Sequence, residues 1–180
     1  EFTKNPELFC EIVKKRFKIT YKYDYPYSNI LGSWKILPGT NKNEIDKTYL
    51  FSWYEKCCEL LNNEDLMYVD RSIGILLGTY EKNKNNWPCE EVCEIIEDKT
   101  NEDMGIGFKR GLYHKRINKS RIKYNNATVE RSIADDYKEF CDKYKDIYPK
   151  TVKLVSELRN QTLLEANRLE IDSKLRNFKY

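Results

Sequence analysis

The most reactive side chains in this sequence are six cysteines and a single histidine: Cys10, Cys57, Cys58, Cys89, Cys93, Cys141 and His114. A metal ion needs ligands that converge. Cys89 and Cys93, four apart, would share a face of a helix. That spacing differs from the Cys-x2-Cys of most zinc sites, and His114 lies well downstream. Cys57 and Cys58 point about 100° apart on a helix, so one ion cannot readily take both. Nucleophilic catalysis would have to pair a thiolate with His114. That histidine stands between Tyr113 and Lys115 in a basic run, where it suits solvent or an anion better than a buried thiol. Asp135 and Asp136 are adjacent and poorly placed to share a proton, while Glu55, Glu59 and Glu130 suit surface ion pairs. The expectation is no metal, no cofactor and no catalytic set, with reduced cysteines packed as small apolar groups. A hydrolytic reaction through His114 is the weakest alternative.

Glycine and basic side chains offer a different chemistry. Gly105, Gly107 and Gly111 superficially suggest a phosphate loop, but their spacing matches neither the Walker nor the dinucleotide pattern. In a helix each costs about 1 kcal/mol against Ala, so close helix crossing is the better explanation, as it is for Gly74 and Gly78. From Phe108 to Lys123 the chain carries seven Lys or Arg, His114 and no carboxylate. The whole chain has a net charge of +3, so the remainder sums to −4. Lys109, Arg110, Lys115, Arg116, Lys119, Arg121 and Lys123, with Tyr113 to stack and His114 alongside, could bind nucleic acid or another polyanion. The acidic stretch just before it (Glu90, Glu91, Glu94, Glu97, Asp98, Glu102, Asp103) offers a competing use. An acidic helix docked on a basic one, within the chain or on a partner, would absorb both charges. That pairing is the leading expectation.

The elements that must position these residues are helices. Asn5-Pro6 starts one, with Leu8, Phe9, Ile12, Val13 and Phe17 as its apolar stripe. From Ile19 to Asn43 periodicity fails: Tyr21, Tyr23, Tyr25 and Tyr27 surround Pro26, and Trp34 and Pro38-Gly39 follow. This aromatic connection is expected to lie over the helices, with a short strand pair as the competing reading. Further helices are expected at about 44–61, 64–79, from Pro88, from Asn101 past His114, at 127–148 and from Pro149 to about 176. The sum is one all-α domain over 1–180: six or seven antiparallel helices in an irregular bundle or stacked hairpins. No apolar run reaches the ~20 residues that cross a bilayer, so no membrane partner is expected.

Several segments in order carry a resemblance: NPELFCEIVKKRFK, SWKILPGTNKNEIDKTYLFSWYEKCCELL, DRSIGILLG, NNWPCEEVCEIIE, GFKRGLYHKR, VERSIADDYKEF and YPKTVKLVSELRNQTLLEA. Together they resemble the C-terminal region of a family of very large, functionally uncharacterised bacterial proteins. The resemblance runs from Asn5 to about Arg168 and rests on Trp34, Pro38, Gly39, Trp53, Ile73, Gly74, Trp87, Pro88, Gly107, Gly111, Glu130, Arg131 and Pro149. The family has a glycine-containing loop before the Glu-Arg pair; here that place reads Lys123-Tyr-Asn-Asn-Ala-Thr. No catalytic residue transfers from it. What the resemblance implies is context: a terminal, cytoplasmic helical module of a longer protein, with any chemistry upstream. The opening residue Glu1, where a complete chain has Met, fits that expectation. The functional expectation is a non-enzymatic interaction or scaffolding module. Its partners would be upstream domains of the parent chain or another protein, and nucleic acid binding through 109–123 is the alternative.

Overall fold

The computed structural model describes residues 1–18, 34–41, 44–82, 88–120 and 127–177. Among them are seven helices and one small strand pair. In order these are α1 (Pro6–Lys18), β1 (Thr40–Asn41), β2 (Glu44–Ile45), α2 (Lys47–Leu60), α3 (Asn63–Thr79), α4 (Glu90–Lys99), α5 (Glu102–Ser120), α6 (Ala127–Tyr144) and α7 (Pro149–Asn177). The fold is an all-α bundle. No helix among the described residues is long and apolar enough to cross a membrane.

Side-chain caps start the helices where Asn and Asp precede apolar periodicity. Asn5 Oδ1 accepts from Leu8 N at 2.9 Å, Asn62 Oδ1 from Asp65 N at 2.8 Å, and Asn101 Oδ1 from Met104 N at 2.9 Å. Asp46 Oδ1 accepts from Tyr49 N at 3.0 Å and so starts α2 three residues later than the periodicity predicts. The displaced residues Glu44 and Ile45 pair antiparallel with Asn41 and Thr40. Pro38-Gly39 turns the chain into this ladder with Gly39 at φ 80, where a Cβ would lie 2.6 Å from the Asp46 carbonyl oxygen. Both readings of the aromatic connection therefore hold in part. Trp34 packs on Phe2, Phe9 and Trp53 with ring centroids 4.7–6.0 Å apart, and a strand pair follows. Tyr21, Tyr23, Tyr25 and Tyr27 lie outside the described residues. At the other end α6 stops at Tyr144, not Tyr148. Ile147 N and Tyr148 N both bond the Tyr144 carbonyl and close the turn into α7.

Expected antiparallel neighbours occur where helices follow one another through short turns. Tyr54 reaches Asp70 across the α2–α3 hairpin, and Arg131 reaches Glu170 across α6–α7. The most extensive packing in the molecule adds a parallel pair, α3 against α5, with α4 returning the chain between them. Its contacts rise together along both helices: Arg71 with Asp103, Gly74 with Gly107, Gly78 with Gly111, Glu81 with Lys115. A Cβ on Gly74 would stand 2.2 Å from the Met104 carbonyl oxygen, and one on Gly107 2.2 Å from that of Arg71. For Gly78 and Gly111 the corresponding clashes are 2.3 Å, from the carbonyl oxygens of Phe108 and Ile75. Backbone therefore lies on backbone, and the glycines are packing devices. Val69, Ile73, Leu76 and Leu77 meet Met104, Phe108 and Leu112 in the core around this seam.

Candidate functional site

The basic residues sit on the C-terminal half of α5, and two of them are already committed. Lys109 Nζ pairs with Glu157 of α7 at 2.5 Å, and Lys115 Nζ with Glu81 beyond α3 at 3.3 Å. Arg110, Tyr113 and His114 face outward. Arg110 Nε donates to His114 Nε2 at 3.2 Å, and the Tyr113 ring meets the His114 ring edge-on. The side chains of Arg116 and Lys119, and the whole of Arg121 and Lys123, lie outside the described residues.

The acidic stretch does not serve as the counterpart of the basic run in these pairs. Glu94 pairs with Lys47, Glu91 with Lys82, and Asp103 with Arg71. Glu97 does something more specific: its carboxylate accepts from Thr151 N at 2.8 Å, Thr151 Oγ1 at 2.9 Å and Lys150 N at 3.1 Å. Lys150 Nζ in turn donates to the Glu97 carbonyl. A glutamate of α4 thus caps the first turn of α7, where a carboxylate suits the exposed N–H groups and the helix dipole. The ion pairs of Lys109 and Lys115 thus run to Glu157 and Glu81, outside the acidic stretch. α4 packs against α7, and α5 against α3.

Reactive groups are dispersed. Cys10, Cys57, Cys89 and Cys93 are buried, and Cys58 and Cys141 half-buried. Burial pushes the Cys93 thiol up to about 12. It also raises Cys58, Cys89 and Cys141, the opposite of nucleophile activation. Among the described residues no three His, Cys, Asp or Glu side chains converge as metal ligands. The buried carboxylate among the described residues is Asp70, 6 % exposed on α3. Tyr54 Oη donates to its Oδ1 at 2.6 Å and Asn101 Nδ2 to its Oδ2 at 2.8 Å. Burial, then the bond to Asp70, hold the Tyr54 hydroxyl protonated well above the tyrosine range. Since Asn101 also caps α5, this network ties α2, α3 and α5 together; it is a structural joint.

One surface feature was not anticipated from the sequence. On α7, Leu164, Ile171 and Leu175 are 69 %, 57 % and 59 % exposed. At 100° per residue they fall within roughly 40° of arc. Thr162 and Ala166, fully buried, occupy the opposite face of the same helix. The signal was present as a second apolar phase, seven and four residues apart, beside the inward set Val155, Leu158 and Ala166. It is hidden because both phases together leave α7 without a single apolar side. No family model matches the chain, and neither a curated protein nor a solved structure matches it.

Proposed function

We propose that this chain is a non-enzymatic helical interaction module whose contact surface is the outer face of α7. The observation that supports this reading is the line of Leu164, Ile171 and Leu175, exposed along the longest helix while its other face is already used by the bundle. Apolar anchors at such spacing on one helix face are how helices dock into grooves or onto other helices. Three side chains fall short of the roughly 800 Å² that a standard interface buries per partner. The partner must therefore extend onto the flanking Glu165, Arg168 and Asp172, and its contact ring carries charge of both signs. In the context that the sequence resemblance implies, the partner is an upstream domain of a large cytoplasmic bacterial protein or another protein bound to it. A photo-crosslinking side chain at position 171 should give covalent protein adducts, and the same group at Glu59 on α2 should not. Equal labelling at both positions would remove the assignment.

A second reading is polyanion binding through 109–123, favoured by the outward placement of Arg110, Tyr113 and His114 on one stretch of α5. It is weaker because Lys109 and Lys115 are already neutralised by Glu157 and Glu81. Its test is binding to a single strand or duplex that falls with salt and with Arg110→Gln and Arg116→Gln together. Unchanged binding in that variant would reject it.

A further inference from the structure

Cys10 and Cys57 stand apart from the other four thiols. They come from different helices, α1 and α2, and lie 47 positions apart in sequence, yet both are buried in the same core cluster at 2 % and 0 % exposure. α1 packs on α2, and the two thiols lie close enough to shift one another, Cys10 down and Cys57 up. The register of the two helices brings them there. Trp53 Nε1 donates to the Phe2 carbonyl at 3.0 Å, Tyr49 Oη donates to the Thr3 carbonyl at 3.1 Å, and the Phe9 and Trp53 rings lie 5.2 Å apart. Trp53 and Tyr49 lie one and two turns before Cys57 on α2, and Phe9 adjoins Cys10 on α1. The other cysteines have different company: Cys58 touches Tyr54, Cys93 touches Thr151, and Cys141 Sγ donates to the Val152 carbonyl at 3.7 Å. Cys89 and Cys93 are successive turns of one helix, whose Cβ atoms stand about 5–6 Å apart, beyond the about 3.8 Å a disulfide needs.

We propose that Cys10 and Cys57 form a dithiol that a peroxide converts to a disulfide, tying α1 to α2. Cys10 is the attacking sulfur: the neighbouring Cys57 thiol favours its thiolate, and Lys14 one turn on adds to this. The Cys10 thiolate attacks one peroxide oxygen, the O–O bond breaks, and the departing hydroxide takes the Cys10 proton as water. The sulfenic acid left on Cys10 is then attacked by Cys57 Sγ. The S–O bond breaks, the S–S bond forms, and the second hydroxide leaves as water with the Cys57 proton. Two thiols and one hydrogen peroxide give one disulfide and two waters. Both sulfurs are screened from bulk solvent, so the reaction is paced by opening of α1, which the chain joins to α2 only through residues 19–46.

The test is peroxide treatment of the folded chain, alkylation of the remaining thiols in denaturant, and peptide mapping. The expected first disulfide links Cys10 to Cys57 within one chain. It quenches Trp53, one turn before Cys57, and both changes reverse with dithiothreitol. Cys10→Ser and Cys57→Ser should each abolish the quench. The inference is overturned if Cys10 and Cys57 are both recovered alkylated after Cys58 and Cys141 have been oxidised. It is equally overturned if either sulfur maps to a different partner. The wild-type map decides the matter even where a serine variant folds poorly.

Discussion

Replacing Gly107 by Ala places a methyl 2.2 Å from the Arg71 carbonyl oxygen, with the Arg71 carbonyl carbon and Cα each at 2.8 Å. Carbon and carbonyl oxygen ordinarily meet at about 3.3 Å, so α3 and α5 must part by about 1 Å. The obstacle is helix backbone, which cannot rotate away. A gap of that size forfeits about a quarter to a half of each dispersion contact across it. Here those contacts include Ile73 and Leu77 against Phe108 and Leu112. Overpacking of this kind costs about 1–3 kcal/mol, while Ala in place of Gly returns about 1 kcal/mol of helix propensity. With the clash at the upper end, the net loss is about 2 kcal/mol, a fall in Tm of about 4–8 °C for a chain of this size. Gly105→Ala, two residues away on the same helix, supplies the control. Its Cβ meets only the Leu154 side chain, at 3.0 Å from Cδ2, and that side chain can turn aside. Helix content followed through thermal and urea unfolding should show Gly107→Ala destabilised and Gly105→Ala unchanged or stabilised. A Gly107→Ala chain that melts at or above wild type would refute the reasoning. So would equal losses in both variants.

Tyr54→Phe removes one of the two hydrogen bonds to buried Asp70 and should cost about 2 kcal/mol in chemical denaturation, the range for a bond to a charged group. Because the folded Tyr54 hydroxyl is held above its ordinary 10.0, its contribution is complete below that pH and is lost as pH rises beyond it. The wild-type chain should therefore lose stability above pH 10 more steeply than Tyr54→Phe, and parallel curves would contradict this. Glu97→Ala strips the cap from the first turn of α7 and should lower stability by about 1–2 kcal/mol, with faster amide exchange at Lys150 and Thr151. Exchange rates unchanged at those two amides would show that the cap is dispensable.

Much of the fold was legible because it is written in local signals. Asn5 and Asn101 start helices in sequence and in structure, and the inward faces through Phe9, Leu50, Val69, Val92 and Val155 follow from a 3.6-residue period. Gly74, Gly78, Gly107 and Gly111 were readable as crossing residues, since glycine inside a helix needs a packing reason. What escaped is long-range. Nothing in the sequence says that α3 and α5 run parallel, because that depends on how α4 returns the chain. Charge partners are long-range in the same way, and adjacency in sequence does not name them. Glu97 meets Thr151 and Lys109 meets Glu157, residues at sequence separations of 54 and 48. A 3.6-residue period through Leu50 and Trp53 would turn Tyr49 inward, yet it is 41 % exposed, its hydroxyl bonded to the Thr3 carbonyl. The outer strip of α7 is masked in the sequence because Leu163 and Ala166 satisfy the helical period beside Leu164.

The outer face of α7 carries the functional claim, and it can be altered without touching the core. Leu164→Glu, Ile171→Glu and Leu175→Glu together replace exposed side chains, so each should change stability by no more than about 0.5 kcal/mol. The decisive measurement is the set of proteins that co-purify with the parent protein, quantified for wild type and for this triple variant, with melting of the isolated chain as the folding control. The account predicts the same melt and the loss of one or more wild-type partners. The same melt with the same partners in the same amounts would contradict it.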